Sequence, residues 1–478
     1  MTIVKESPSA ATYTVGEAPG RVPLLGHVPQ LWRRPLEFLT SLPAHGDLVA
    51  FRLGPRLAYI ACHHDLVTQL LHDSRTFDKG GPLFEKARLL VGDGLVSSGF
   101  ESHRRQRRLV QPAFHRARMP HYIDIMAEEI DAELSSWRPG VAFNVSDITH
   151  GLTLRITART MFATRIGEDA VRAVTECMPV IMQGVYRRMI SPTSLIEKIP
   201  NKHNRLFAEA QVRMRDVISD TVAEYRRSGA DQGDVLSILV NQRDEETGEG
   251  LTDQEIHDQV MTVLIGGTET TGNTLAWTFH LLARHPEIEA KLQDEVTTVF
   301  GGRRPTSADL PRLEYTDRVL TETLRMYPPA WLLSRTTTRD VEIAGARLSA
   351  GTPVFYSSYL LGRNPEMFPD PDRYDPDRWL PERAKQLPRN AVLPFGQGNR
   401  KCIGDNFGIA ETTLTLAAAV ARWRLRPVPG HRISTAPKAS LGTGPLPMVP
   451  EPVAQADRPA PPAAAAGCPV DHRTGEPS

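Results

Sequence analysis

The chain has 478 residues, and its 56 lysines and arginines balance 56 aspartates and glutamates, so the formal net charge is zero. Nucleic-acid-binding proteins usually carry an excess of positive charge, so this balance argues against that class. The four cysteines are few for this length and form no Cys-x-x-Cys pair, which argues against a disulfide scaffold or a zinc ribbon and favours a reducing cytoplasm. No apolar run approaches the roughly 18 residues that a membrane span needs. We therefore expect a soluble cytoplasmic protein without a membrane span.

The first part of the chain combines irregular and strand-like patterns. Residues 1–19 are expected to form a flexible N-terminal segment, and the prolines between Ala18 and Pro29 favour an extended lead-in. From Val49 to Ala61, strand-like alternation surrounds a Gly54-Pro55 turn, which predicts a β-hairpin.

Helical patterns dominate the chain from there to about Val299. A second strand-rich stretch follows from about Thr336 to Tyr356, with glycines at its turns. Residues 449–478 are rich in proline and alanine and poor in large apolar side chains, so they cannot bury enough surface to offset their ordering entropy, and we expect a disordered tail. The whole pattern predicts a mainly α fold with a smaller β portion.

The most informative segment is the glycine-rich loop Phe395-Gly-Gln-Gly-Asn-Arg-Lys-Cys-Ile-Gly404. Its first two glycines allow backbone angles that other residues resist, so the loop can turn tightly beneath a flat ligand and point amide groups at the sulfur of Cys402. Arg400 and Lys401 place positive charge next to that sulfur, and a helix pattern begins at Asp405, both of which favour a thiolate. Two other interpretations remain open at this point: a buried structural cysteine in a turn, and a nucleotide-binding loop, although the third glycine of a dinucleotide fingerprint is missing.

The spacing Phe-x-x-Gly-x-Arg-x-Cys-x-Gly resembles the haem-ligand signature of the cytochrome P450 superfamily and matches it at every fixed position. The resemblance implies haem b with the thiolate of Cys402 as the axial iron ligand, and Phe395, Gly396 and Arg400 in the cofactor site. A thiolate ligand pushes electron density onto iron and favours cleavage of the O–O bond.

Glu322-Thr-Leu-Arg325 lies at the end of a helical pattern that stops at Pro328-Pro329. Residues three apart on a helix can pair, although such a pair is usually a solvated surface contact. The segment resembles the Glu-x-x-Arg helix of the family, in which a further arginine joins the pair, and Arg378 occupies that place here. We expect a buried charge network that holds the chain leading to the cysteine loop. Trp379 replaces the more usual Phe.

A long helix is predicted from the capping box Thr252-x-x-Glu255 to His285-Pro286, roughly 33 residues or about 50 Å. Its middle, Gly266-Gly-Thr-Glu-Thr-Thr-Gly272, consists of poor helix formers. One interpretation is a glycine-rich kink between packed helices. The family has a matching stretch, and the resemblance implies that Thr270 hydrogen-bonds the oxygen that is activated while Glu269 helps to relay protons.

An arginine-rich helix begins near His103-Arg-Arg-Gln-Arg107-Arg108. His103 and Arg107 are four residues apart and share a helix face, and the resemblance implies that they bind a haem propionate together with Arg335 and Arg400. The simpler interpretation is a solvated basic face. Both can hold, because Arg104, Arg105 and Arg108 would point elsewhere and could attract an acidic electron donor.

The resemblance covers nearly the whole chain and implies a catalytic domain at residues 20–448, with the haem buried between the long central helix and the cysteine loop. It implies a monooxygenase that activates O2. Since the sequence contains no flavin or iron–sulfur module, electrons would come ultimately from NAD(P)H through a ferredoxin reductase and a ferredoxin. We expect a monomer.

The family's substrate-lining stretches are mostly apolar here, which favours a small apolar substrate. Within the family the chain looks most similar to bacterial terpene oxidases of secondary metabolism, so we expect a sesquiterpene such as pentalenene, with a methyl group oxidised to the alcohol, aldehyde or acid. A fatty-acid hydroxylase is the second possibility. A haem sensor or carrier is a third possibility, because Cys468-Pro469 in the tail resembles a haem-regulatory motif. The fourth possibility is a haem-thiolate enzyme that uses peroxide or rearranges its substrate.

Overall fold

The computed structural model describes residues 13–162, 165–190, 201–229, 233–388 and 391–453. The α-helices are α1 (Val28–Arg33), α2 (Pro35–Ser41), α3 (His64–His72), α4 (Pro82–Val91), α5 (Phe100–Val110), α6 (Met119–Ser136), α7 (Val145–Met161), α8 (Arg165–Ile190), α9 (Lys202–Ser228), α10 (Val235–Asn241), α11 (Asp253–Arg284), α12 (Pro286–Phe300), α13 (Glu314–Met326), α14 (Ser358–Leu361), α15 (Pro381–Ala384) and α16 (Asp405–Val420). The strands are β1 (Val15–Glu17), β2 (Leu48–Leu53), β3 (Arg56–Ala61), β4 (Phe77–Asp78), β5 (Phe143–Asn144), β6 (Leu333–Thr337), β7 (Val341–Ile343), β8 (Ala346–Leu348), β9 (Pro353–Tyr356), β10 (Trp423–Pro427), β11 (Thr435–Pro437), β12 (Leu441–Thr443) and β13 (Pro447–Pro452). The mainly helical prediction is confirmed.

The largest sheet has the strand order β1-β2-β3-β9-β6-β4. The predicted hairpin is its β2–β3 pair, which turns at Gly54 with a φ of 63°. The second predicted strand-rich stretch supplies β6 and β9, and β9 pairs in parallel with β3. Strands that lie almost 300 residues apart in the chain, such as β3 and β9, therefore pair in one sheet.

The ends of the folded region differ from the predicted boundaries. Strand β1 lies within the segment 1–19 for which we expected flexibility, yet it pairs in parallel with β2 through Val15 and Leu48. At the other end, β13 continues to Pro452, beyond residue 448, because it pairs with β10. Both short segments are ordered because their backbones form hydrogen bonds with a neighbouring strand. Residues 1–12 and 454–478, which include Cys468, lie outside the described residues.

The long helix α11 runs through the main apolar core, with its predicted capping box formed by Thr252 and Glu255. It packs along α7, where the Thr153 hydroxyl donates a hydrogen bond of 3.1 Å to the carbonyl of Thr268. A Cβ at Gly267 would lie 2.7 Å from the hydroxyl oxygen of Thr157. One interpretation of the glycine-rich stretch is a packing feature between helices. This interpretation holds at Gly267, because Thr157 of α7 occupies the space that a side chain would need.

The predicted charge network around Glu322 is present and buried. Arg325 donates two hydrogen bonds of 2.8 Å to the Glu322 carboxylate, and Arg378 donates one of 3.3 Å. The indole N–H of Trp379 adds a fourth, at 2.9 Å. The departure from Phe at position 379 thus supplies a donor that phenylalanine lacks. Arg325 also binds the carbonyls of Gly362 and Pro371, so the network fixes the chain that leads to the cysteine loop.

Within the described residues, no helix is long and apolar enough to cross a membrane.

Candidate active site

The loop before helix α16 closes around the cysteine as its glycines predict. Gly396 and Gly398 have positive φ angles of 65° and 63°. A Cβ at residue 398 would lie 2.5 Å from the carbonyl oxygen of Leu71, so a side chain would clash with backbone there. The amide of Cys402 donates a hydrogen bond of 2.8 Å to the carbonyl of Phe395, which closes the turn. The sulfur is thereby held at a fixed place directly before α16.

The charges around the sulfur differ from those expected. Although Cys402 keeps an accessible surface, surrounding protein atoms desolvate the thiol and raise its pKa, while the Gly404 amide, Arg107 and Lys401 lower it. Arg400, expected beside the sulfur, instead pairs with Asp78. Direct bonding to a metal ion deprotonates a thiol outright, so the raised pKa is compatible with the ligand role.

The structure brings the four predicted propionate-binding side chains into one cluster. His103 is 5% exposed, and desolvation together with the charges of Arg400, Arg107 and Arg335 lowers its pKa to about 3. His103 is therefore neutral near pH 7 and can offer an N–H donor rather than a charge. Arg107 donates a hydrogen bond of 2.6 Å to the carbonyl of Lys401, which ties helix α5 to the cysteine loop.

Lys79 is a member of this cluster that the sequence did not single out. Burial and the charges of Arg335 and Arg400 hold the pKa of Lys79 well below its usual range. Its ammonium group also lies 4.4 Å from the centre of the Phe84 ring. The residue directly follows Asp78, the carboxylate that pairs with Arg400. No local sequence signal identified it, since the arginines that surround it are distant in the chain.

Two other arginines of helix α5 have internal partners. Arg105 donates 2.7 Å hydrogen bonds to Glu255 and to the carbonyl of Gly250, and Arg108 lies 2.8 Å from Asp244. Both side chains tie α5 to the loop before α11 or to its first turn, but Arg108 stays exposed, so the expectation that they attract a redox partner stays a prediction. Arg104 is exposed, as expected.

The middle of α11 has one open face. Gly266 and Thr270 are exposed although their neighbours in the helix are buried or half-buried, and a Cβ at Gly266 would meet no atom within 4 Å. The Thr270 hydroxyl donates a hydrogen bond to the carbonyl of Gly266. A Cβ at Gly408 of α16 would lie 4.0 Å from the Phe395 ring and 3.9 Å from the hydroxyl of Thr271. Helix α11 and the cysteine loop are therefore close neighbours.

The carboxylate of Glu269 is held by the β11–β12 hairpin. Ser440 donates a hydrogen bond of 2.9 Å to Glu269 and accepts one of 2.7 Å from the side-chain amide of Asn273, one turn further along α11. The hairpin is fixed to the same helix by the indole of Trp277, which donates to the carbonyl of Leu441 at 3.0 Å. Ser440 is a second residue that sequence reasoning missed.

These features fit haem b, the predicted cofactor. The three guanidinium groups and Lys79 outnumber the two nearby carboxylates, Asp78 and Asp405, and the Nε atom of Arg400 is buried without a hydrogen-bond partner. Such a donor set suits the two carboxylates of a porphyrin. Gly266 presents bare backbone that a flat group can approach, and Cys402 offers the soft thiolate that iron accepts.

Glu411 on α16 is a further buried acid near this region, and the sequence did not single it out. It is fully buried, and among the described residues neither of its carboxyl oxygens has a hydrogen bond of normal geometry. Desolvation raises the pKa of Glu411 well above its usual value of 4.5, and the nearby Thr271 side chain only partly opposes this. We therefore expect Glu411 to be neutral in the folded protein.

Glu411→Gln should stabilise the protein increasingly as the pH rises. Above pH 4.5 the unfolded chain loses the proton that the folded protein retains, so rising pH removes stability. The loss approaches about 1.4 kcal/mol per pH unit while the folded carboxyl stays neutral. Glutamine has no proton to lose. The difference in thermal unfolding midpoint between variant and wild type should therefore be larger at pH 8 than at pH 5, and an equal difference at both would contradict a neutral Glu411.

The apolar side chains in the stretches that line the substrate site of the family differ in burial. Met178, Ile181, Met261 and Leu264 are buried in the main core. Leu332 and Leu333 are half-buried and precede Arg335 of the cationic cluster. The side chains of Leu83, Leu89, Leu90 and Val185 lie outside the described residues.

Comparison with known proteins assigns the family. The family model described as cytochrome P450 matches residues 17–450. Cyclooctat-9-en-7-ol 5-monooxygenase of Streptomyces melanosporofaciens is 50% identical over 446 residues, which cover 93% of this chain and 97% of that protein. Pentalenene oxygenase of Streptomyces avermitilis is 45% identical over 417 residues, which cover 87% of this chain and 92% of that protein.

A solved structure gives the same answer for the fold. The crystal structure of the cytochrome P450DA heme domain matches with a TM-score of 0.84 at 28% identity, covering 93% of this chain and 99% of that one. The chain is therefore a member of the cytochrome P450 family, a haem-thiolate monooxygenase that takes NAD(P)H-derived electrons from redox partners and acts on a small substrate.

Proposed function

We propose that this enzyme oxidises an unactivated C–H bond of a terpene in a secondary-metabolite pathway. The observation that carries the proposal is its 50% and 45% identity to cyclooctat-9-en-7-ol 5-monooxygenase and pentalenene oxygenase, over 97% and 92% of those proteins. Both substrate names denote alkenes, one with a hydroxyl group, and neither denotes a carboxylic acid. A cyclic terpene, a sesquiterpene such as pentalenene among the candidates, is therefore favoured over a fatty acid.

Burial of apolar surface is sufficient to bind such a substrate. A hydrocarbon that buries about 350 Å² gains about 9 kcal/mol at about 25 cal/mol per Å². This exceeds only the lower end of an association cost of roughly 4–15 kcal/mol and leaves at most about 5 kcal/mol, so binding with a Kd of about 0.2 mM needs no hydrogen bond. Half-buried Leu332 and Leu333, just before Arg335, are apolar side chains that could contribute. Regioselectivity would then depend on the shape of the pocket.

The substrate class is tested by ligand-induced changes in the haem spectrum. The purified holoenzyme is titrated with pentalenene, cyclooctat-9-en-7-ol and other terpenes, and in parallel with fatty acids of similar carbon number. We expect saturable shifts with terpenes at lower concentrations than with fatty acids. Shifts with fatty acids alone would overturn the terpene proposal, but they would not contradict the assignment as a monooxygenase.

The haem supplies O2 activation when bound, and the residues of this chain supply the proton path. One oxygen atom enters the C–H bond and the other leaves as water, which consumes two electrons and two protons. We propose that Thr270 orients the oxygen by hydrogen bonding and that Glu269 passes protons towards it, with Cys402 as the iron ligand. The exposed position of Thr270 on the open face of α11 and the adjacent acid support these roles.

Thr270→Ala should retain haem but divert electrons to peroxide. Alanine cannot hydrogen-bond the oxygen, so proton delivery becomes disordered, and we expect product per NAD(P)H consumed to fall on the order of tenfold or more. Product and peroxide are measured together with NAD(P)H consumption. Thr270→Ser, which keeps the hydroxyl, is the matched control and should retain most of the coupling. Unchanged coupling in Thr270→Ala would refute the role of this hydroxyl.

We further propose a ferredoxin, reduced by its NAD(P)H-dependent reductase, as the electron donor. An acidic ferredoxin would be attracted to exposed arginines such as Arg104, on the helix that Arg107 ties to the cysteine loop. The enzyme is proposed to work as a monomer in the cytoplasm, where its buried free cysteines Cys62 and Cys177 stay reduced. Steady turnover with reduced ferredoxin and O2, without added peroxide, tests this electron route.

A further inference from the structure

Apolar side chains that face solvent are concentrated near the start of the folded chain. Twelve large apolar residues are exposed in the described part of the chain, and seven of these lie between residues 15 and 57. Four lie within nine consecutive residues and form what we call the amino-terminal patch: Leu24 (91% exposed), Leu25 (53%), Val28 (39%) and Trp32 (75%). Single exposed apolar side chains are ordinary, but a contiguous group marks an interaction site.

The patch is built on a short turn followed by helix α1. The turn is closed by hydrogen bonds between Val22 and Gly26, and the amide of Val28 donates to the carbonyl of Leu25 at 3.3 Å. Trp32 follows Val28 by four residues and so lies on the same face of α1. The turn and α1, joined by the hydrogen bond between Leu25 and Val28, therefore carry all four exposed side chains.

This surface is held rigidly in place. His27, which is fully buried, bonds the carbonyl of Ala18 through Nε2 and accepts from the amide of Arg52 through Nδ1, both at 3.0 Å. A Cβ at Gly26 would lie 2.4 Å from the carbonyl oxygen of Arg52, so the turn presses directly on strand β2. Mobility of a loose segment therefore does not explain the exposure of the patch.

Leu24 is strained as well as exposed. Its φ is 63°, in the left-handed region that non-glycine residues seldom adopt. Glycine or asparagine would relieve this strain without losing a buried contact, since the leucine side chain is almost entirely in solvent. Strain at an exposed apolar residue, fixed by the surrounding turn, is typical of a functional contact.

Positive charge surrounds the patch. Residues 20–36 contain three arginines, Arg21, Arg33 and Arg34, and no acidic residue, although the whole chain is neutral. All three arginines are exposed. The nearest acid in sequence, Glu37, pairs with Arg34. A partner for this surface must accept apolar side chains in its centre and carry negative charge around them.

We propose that the amino-terminal patch docks on the surface of an anionic lipid bilayer. Tryptophan and leucine insert at the boundary between headgroups and acyl chains, while arginines bind lipid phosphates at the rim. Docking would bring the enzyme to the phase in which apolar compounds concentrate. The proposal does not rest on the proposed terpene substrate, because it concerns a surface separate from the haem site.

The test is binding of the full-length holoenzyme to vesicles. Vesicles of phosphatidylglycerol and phosphatidylcholine are compared with pure phosphatidylcholine by co-sedimentation and by quenching of tryptophan emission with brominated lipid. Trp32 is the one tryptophan among the exposed large apolar residues of the described chain, so it serves as the reporter. We expect binding to anionic vesicles, weakened by high salt.

Two variants and a control make the test specific. The double variant Leu24→Asn with Leu25→Ser should weaken binding at least about tenfold, and asparagine suits the left-handed backbone at residue 24. Arg33→Gln with Arg34→Gln should weaken it by about fivefold per arginine. Val212→Ser, at a 59% exposed position on α9, is the matched control and should bind as wild type. Unchanged haem spectra establish that each variant is folded.

Three results would overturn the proposal. The first is that the wild-type enzyme does not bind anionic vesicles. The second is that binding is unaffected by the patch variants or is lost equally in the control. The third is a concentration-dependent dimer that the Leu24 and Leu25 substitutions dissociate, which would assign the patch to a second copy of the chain.

Discussion

Cys402→Ser is expected to abolish monooxygenase turnover and the reduced carbonyl spectrum that a thiolate-ligated haem gives. A serine hydroxyl cannot donate electron density to iron as a thiolate does, so cleavage of the O–O bond loses its main driving force. The loop should nevertheless keep its shape. Its geometry depends on the positive φ angles of Gly396 and Gly398 and on the Cys402 amide bonding Phe395, none of which involves sulfur.

The other cysteines provide the control. Cys177→Ser makes the same replacement at a thiol that is buried in the main apolar core. It should cost some stability and leave the carbonyl spectrum intact. Product formation and spectra of both variants are compared at equal haem content. A native carbonyl spectrum in the Cys402 variant would overturn the assignment of the iron ligand and the mechanism derived from it.

Glu322→Gln should destabilise the protein by about 3–5 kcal/mol, because it leaves two buried arginines without their counter-charge. Arg325 is 1% exposed and Arg378 is 6% exposed, so water cannot replace the lost carboxylate. Both guanidinium groups also hold backbone carbonyls between Gly362 and Arg373, so the loss should reach the chain before the cysteine loop. We expect a lower denaturation midpoint and a smaller haem-loaded fraction.

Two further variants calibrate this effect. Arg318→Gln breaks the partly exposed pair with Asp377, at 3.0 Å, and should cost under about 1 kcal/mol. Trp379→Phe removes one donor to Glu322 and should cost about 1.5–3 kcal/mol. Equal denaturation midpoints for the Glu322 and Arg318 variants would contradict the importance of burial.

The residues at the centre of the site could be identified from sequence because their requirements are local. The cysteine loop needs glycines at two positions of positive φ, and the start of α11 needs a capping residue with Glu three places later; both were confirmed. The Glu322 network was also identified, since the helix spacing fixes two of its members. The roles of Cys402, Glu269 and Thr270 in catalysis stay predictions, based on the family resemblance and the geometry.

Sequence alone determined the mainly helical fold, the turn of the cysteine loop and the capped start of α11, because backbone preferences act over a few neighbouring residues. Only the tertiary structure decided which of two adjacent glycines packs against α7 and which faces the open side, that Arg105 and Arg108 have internal partners, and that Lys79 joins the cationic cluster. The physical reason is that these outcomes depend on which distant groups meet. Arg400 and Asp78 are 322 residues apart in the chain, and no local pattern records that they pair.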